Sequence, residues 1–63
     1  MRIFIEENRF GYGVSQFDGK HRKVLEYGIL SHGRAMHVAK EWERYYKHLG
    51  YGVKVVDISR KNS

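Results

Sequence analysis

The chain contains no cysteine, so no disulfide can staple it and no thiolate can hold a metal. No apolar run approaches the ~20 residues that a membrane span requires. No low-complexity tract or internal linker interrupts it, and only Arg60 to Ser63 reads as a loose tail. Near its start the acidic pair Glu6-Glu7 stands where a signal peptide would continue its apolar region, so the expected compartment is the cytoplasm.

The signatures of catalysis are missing as well. No two of His21, His32, His37 and His48 have the i, i+4 spacing that brings two imidazoles to one metal. His37 and His48 share a helical face but stand ~16 Å apart along the axis. Ser15, Ser31, Ser59 and Ser63 carry no nucleophile-elbow pattern. Glu6 and Glu7 point to opposite faces of a strand, and Glu41 and Glu43 diverge on a helix. Gly11-Tyr12-Gly13 lacks the third glycine and the Lys-Ser/Thr of a phosphate-binding loop. Gly33, near a helix start, offers backbone N–H groups to one phosphate at most. A chain of 63 residues also has little volume for an enclosed pocket. The expectation is a non-enzymatic protein with no cofactor and no metal.

What is present is positive charge and aromatic carbon. Twelve Lys and Arg against seven Asp and Glu give a formal charge of +5, which favours polyanions or acidic protein surfaces. One tryptophan, five tyrosines and three phenylalanines supply a core for a chain this short, because each buried ring removes ~150–250 Å² from water. The length allows one domain, which buries only ~60% of its unfolded surface.

Ser31 to Gly50 reads as one amphipathic helix, spanning about 32–49. Ala35, Val38, Ala39, Trp42, Tyr46 and Leu49 fall in one arc, and His37, Lys40, Arg44, Lys47 and His48 in the opposite one. Ser31 is a good N-cap and Gly50 a good C′ residue. Before the helix, alternation predicts strands at Arg2 to Glu6, Phe10 to Phe17 and Val24 to Leu30. After it, Tyr51 to Ser59 predicts a fourth. Asp18-Gly19 is a type I′ hairpin signal, which pairs Phe17 with Lys20 and Tyr12 with Leu25. Phe10, Tyr12, Val14, Leu25, Tyr27 and Ile29 are then the core face. Gly-Tyr-Gly-Val occurs twice, too short a repeat to be architectural.

The fold class expected is therefore α+β: strand, strand, strand, helix, strand. The sheet is mostly antiparallel in order 3-2-1-4, with one helix on one face. A single helix leaves the far face open. Phe4, Phe17, Val24 and Leu30, with Val56 and Ile58, are expected there as an interface for a protein or a second copy.

Two basic groups are candidate nucleic-acid contacts. Lys20-His21-Arg22-Lys23 follows the hairpin turn, and a basic hairpin tip can enter a groove or track a phosphate backbone. The helix stripe of Lys40, Arg44 and Lys47 is secondary, because Glu41 and Glu43 dilute it and charged helix faces are commonly just solvated. A basic three-stranded sheet followed by a helix resembles the arm-binding domains of phage integrases and plant-type AP2 domains. That resemblance implies DNA contact through the sheet. Here a fourth strand follows the helix, and those families' tryptophan and arginine patterns cannot be placed. The element order is also similar to small phage proteins that inhibit host RNA polymerase or CRISPR complexes. The expected partners are a nucleic acid, DNA before RNA, or an acidic host protein, with a homodimer as a further expectation.

Overall fold

A computed structural model describes residues 1–59. The expected tail at Arg60 to Ser63 lies outside them. The elements are β1 (Arg2–Asn8), β2 (Gly11–Phe17), β3 (Arg22–Ile29), α1 (His32–His48) and β4 (Lys54–Asp57). They form one four-stranded sheet in the order β3-β2-β1-β4, with β4 parallel to β1 and the other pairs antiparallel. This is the α+β arrangement that the sequence predicts. The helix is the crossover that lets β4 run parallel to β1.

The helix ends follow from their residues. Ser31 is extended and its Oγ accepts from the Arg34 N–H at 3.2 Å, satisfying one orphan donor of the first turn. At the other end Gly50, with φ +101°, reverses the chain. The Gly50 N–H donates to the Lys47 carbonyl at 3.0 Å and the Tyr51 N–H to the Tyr46 carbonyl at 3.1 Å. That is a Schellman pair, completed by the Tyr51 ring edge-on to Tyr46 at 5.9 Å.

The core lies between α1 and one sheet face. Ile3, Ile5, Val14, Ile29, Ala35 and Ala39 are buried. Tyr12, Leu25, Met36, Val38, Trp42, Tyr46, Val53 and Val55 pack around them. Ala35 and Ala39 are the helix residues that meet the sheet most closely, and their small side chains allow that approach. Trp42 turns inward as its helical position requires, stacked on Tyr46 at 5.7 Å. Leu49 does not: it is the C-cap and lies exposed where the chain leaves the helix.

The hairpin corrects the predicted register. Phe17 pairs with Arg22, not Lys20, so the connection is the four-residue loop Asp18-Gly19-Lys20-His21. A type I′ turn requires φ > 0 at both central residues, and here Gly19 alone has it. Asp18 instead folds the loop with its side chain, as described below. Two further irregularities follow in β3. Leu25 is an extra residue between the pairs Ser15↔Val24 and Val14↔Glu26, and another is inserted before Tyr12↔Ile29, where Gly28 has φ +74°.

Two residues predicted for the core lie outside it: Phe10 because it falls in the Arg9-Phe10 turn between β1 and β2, and Tyr27 because it sits between the two irregularities of β3. Phe10 is 73% and Tyr27 76% exposed. Ser15 keeps its predicted place on the open face, opposite Phe4, yet is only 2% exposed, and its hydroxyl finds Glu6 at 3.2 Å.

Candidate nucleic-acid interface

The basic hairpin loop is built around one carboxylate. Asp18 Oδ1 accepts from the Lys20 N–H at 2.9 Å and the His21 N–H at 2.8 Å. The same side chain therefore ends β2 and turns the backbone. The His21 and then the Lys20 N–H hold the Asp18 carboxyl below its ordinary value. With the carboxylate occupied by backbone, the side chains of Lys20, His21 and Lys23 extend into solvent. None of them has a carboxylate partner among the described residues.

Arg22 differs. It forms an ion pair with Glu6 Oε2, the oxygen that also receives the Ser15 hydroxyl. Glu6 thus neutralises one of the four basic residues and ties β1 to β3 across β2. Successive strand residues alternate faces, so Arg22 lies on the open face and Lys23, opposite Gln16, on the helix side.

The helix stripe is more nearly self-neutralised. Glu41 lies 3.9 Å from His37 and 4.0 Å from Arg44, and Glu43 lies 3.1 Å from Lys47. Lys40 has no carboxylate partner among the described residues. These exposed i, i+3 and i, i+4 pairs are each worth only ~0.3–0.5 kcal/mol, but they reduce the field the stripe presents.

A third basic group went unrecognised in the sequence. The pairings Arg2↔Lys54, Arg2↔Phe17 and Phe17↔Arg22 place Lys54, Arg2, Phe17 and Arg22 in one row across the open face. The next row is Val56, Phe4, Ser15 and Val24, and the Phe4 and Phe17 rings lie 6.3 Å apart. Met1, Arg2, Phe17, Asp18, Gly19 and Lys54 line a shallow hollow of about 230 Å³ at this end of the sheet. Arg2 and Lys54 are 52 residues apart in sequence, and only the parallel register of β4 on β1 would have shown them as neighbours.

Several cations gather at one end of the molecule, while Arg9, in the β1–β2 turn, and Arg34, in the first turn of α1, lie at the other. The Met1 ammonium donates to the Gly52 carbonyl at 3.2 Å, which brings the chain start beside the segment that leaves α1. The hairpin loop, Arg2, Lys54 and the helix end with Lys47 and His48 therefore share a pole. Of the residues expected at a protein interface, Phe4, Phe17 and Val24 lie on the open face. Leu30 lies instead at the junction of β3 and α1, at the opposite pole.

One other polar cluster exists. Asp57 Oδ2 meets His32 Nε2 at 2.6 Å, while its Oδ1 accepts from the Ser59 hydroxyl at 2.6 Å and the Ser59 N–H at 3.0 Å. The Ser59 hydroxyl first, then its N–H and His32, hold the Asp57 carboxyl down to about 2 against the opposing effect of burial. Serine and histidine both turn toward the carboxylate, so the hydroxyl has no base to activate it. The cluster is a clasp between the start of α1 and the end of β4. Among the described residues no three His, Asp or Glu side chains converge to hold a metal. No helix among them is long and apolar enough to cross a membrane.

Comparison with family models, curated proteins and solved structures finds no match to this chain.

Proposed function

We propose that this chain is a small, non-enzymatic nucleic-acid-binding accessory protein of the cytoplasm, acting on DNA before RNA. The observation that carries the reading is the hairpin loop. Lys20, His21 and Lys23 stand in solvent with no carboxylate partner among the described residues, at the pole where Arg2, Lys54 and Lys47 also lie. Cations held together without counterions repel one another, and a phosphate backbone relieves that repulsion while releasing its own counterions. Lys20, Arg22 and Lys23 are the primary phosphate contacts, with Lys40, Arg44 and Lys47 secondary. The preference for DNA rests on the resemblance to sheet-docking DNA-binding domains.

A titration against DNA at several salt concentrations tests this. The expected result is binding at low salt whose log affinity falls linearly with log salt, by ~0.9 for each phosphate neutralised. Lys20→Gln with Lys23→Gln should lower both the affinity and that slope. Absence of binding at low salt, or a flat salt response, rejects the reading.

The opposite pole favours a second reading: an inhibitor or adaptor of phage origin that docks on a host protein. Phe10, Tyr27 and Leu30 are 73%, 76% and 89% exposed, and their backbones lie together at the end of the sheet remote from the hairpin. Exposed aromatic and aliphatic groups in one place are what a protein partner buries. Capture from lysate after nuclease treatment separates the two. A protein retained by the natural chain and lost with Phe10→Ser and Leu30→Ser supports the second reading.

A further inference from the structure

Arg2 and Lys54 lie side by side on β1 and β4, on strands about 4.8 Å apart. Like charges in that position repel. No carboxylate among the described residues lies within ion-pair reach of either. Asp18 lines the same hollow, but its Oδ1 already serves two backbone N–H groups. Phe17 completes the row beside Arg2, and Phe4 adds a second half-buried ring next to it. Cations without counterions beside open phenyl rings match one chemistry closely: phosphates alternating with bases.

We infer that this open sheet face is a platform for single-stranded polynucleotide, with Arg2 and Lys54 taking backbone phosphates and Phe17 and Phe4 stacking bases. The inference rests on the nucleic-acid reading above and extends it to residues outside the hairpin. A single strand is the required form, because a duplex keeps its base faces stacked on one another and away from side-chain rings. A second copy of the chain fits less well. Among the described residues, strand register places only Glu6 as a carboxylate on this face, and Arg22 and Ser15 already hold it.

Fluorescence anisotropy on the full chain tests the platform. The probes are labelled oligo-dT and oligo-rU of roughly 12 nucleotides, within the reach of one small domain. A duplex of the same length serves as comparison, and titrations run at about 50 and 200 mM salt, where phosphate contacts separate clearly. Single strands should bind more tightly than duplex. Phe17→Leu, which keeps the apolar bulk but removes the ring, should weaken that binding about fivefold or more with an unchanged salt slope. Arg2→Gln with Lys54→Gln should reduce the slope by about 1.4, at about 0.7 for each of two single-strand phosphates. Both positions of that pair are exposed, so it remains a test if Phe17→Leu disturbs packing, which far-UV circular dichroism would reveal. Binding of either oligonucleotide that exceeds duplex binding and weakens in these variants supports the platform, and the difference between the two oligonucleotides identifies the sugar it meets.

Full binding by both variants, with loss only in Lys20→Gln/Lys23→Gln, overturns the platform and leaves the hairpin reading standing. Tighter binding to duplex overturns it too. Failure of every probe at low salt removes both. A dimer in sedimentation that Phe17→Leu dissolves, in a chain that ignores single strands, assigns the face to a second copy instead.

Discussion

At Gly11 two constraints meet in one residue. Its φ of +128° is a backbone state that side-chain-bearing residues rarely adopt, and a Cβ there would lie 2.6 Å from the Ile29 carbonyl oxygen. That oxygen is backbone and cannot swing aside. Gly11→Ala is expected to cost about 2–3 kcal/mol. In a domain this small that lowers Tm by roughly 10 °C or more, measurable by thermal circular dichroism. Asp57 gives a second expectation, in pH. Its folded value is depressed to about 2 from an ordinary 3.8, so its contribution is complete above pH about 4 and is lost as pH falls toward about 2. Asp57→Asn should lower stability at neutral pH and flatten that part of the acid-unfolding curve. A denaturant midpoint recorded at several pH values checks both, and an unchanged acid limb would show that the clasp contributes nothing.

At the scale of elements, the helix was the most legible part of the chain. Its 3.6-residue pattern, the Ser31 cap and the Gly50 stop are local features, and the structure has all three. Gly50→Ala must force the reversal against a Cβ, and should cost about 1 kcal/mol with increased amide exchange at Gly50 and Tyr51. Strand order was legible too, since short connections and a single crossover leave few alternatives. Register was not. The dipeptide Asp18-Gly19 suits several turns, and the choice was made by the Asp18 side chain capturing two N–H groups two and three residues ahead. Two insertions in β3 then decided where Tyr27 falls, whereas Phe10 is exposed because the β1–β2 turn, not a strand, contains it. The basic run Lys20 to Lys23 was visible as a run, and strand alternation alone puts Arg22 and Lys23 on opposite faces, but the capture of Arg22 by Glu6 is a non-local contact that no spacing marks. The row containing Arg2 and Lys54 is non-local, and no spacing along the chain marks it.

For the whole molecule, position of charge matters beyond its sum. The cations of the hairpin, of β1 and of β4 share one end, whereas Glu7, Glu26 and Asp57 lie toward the other, where they outnumber Arg9 and Arg34. Such a dipolar field orients an approaching polyanion as well as attracting it. Lys20→Glu and Lys40→Glu change the net charge identically. The first should slow association with DNA several-fold more than the second at low salt, with the gap closing as ionic strength rises. Stopped-flow association rates measure this. Equal slowing by the two would mean that total charge alone governs the encounter.

The irregular course of β3 bears on how the chain behaves in a crowd. β3 is a free border of the sheet, eight residues long, and a straight border of that length invites a stranger's backbone to zip along it. Its two inserted residues break the ladder into short stretches out of step with one another. A neighbour could match one stretch but not the next, so growth of a shared sheet stalls after a few bonds. The kinks that hid the register from the sequence thus also guard the molecule against fibril-like stacking.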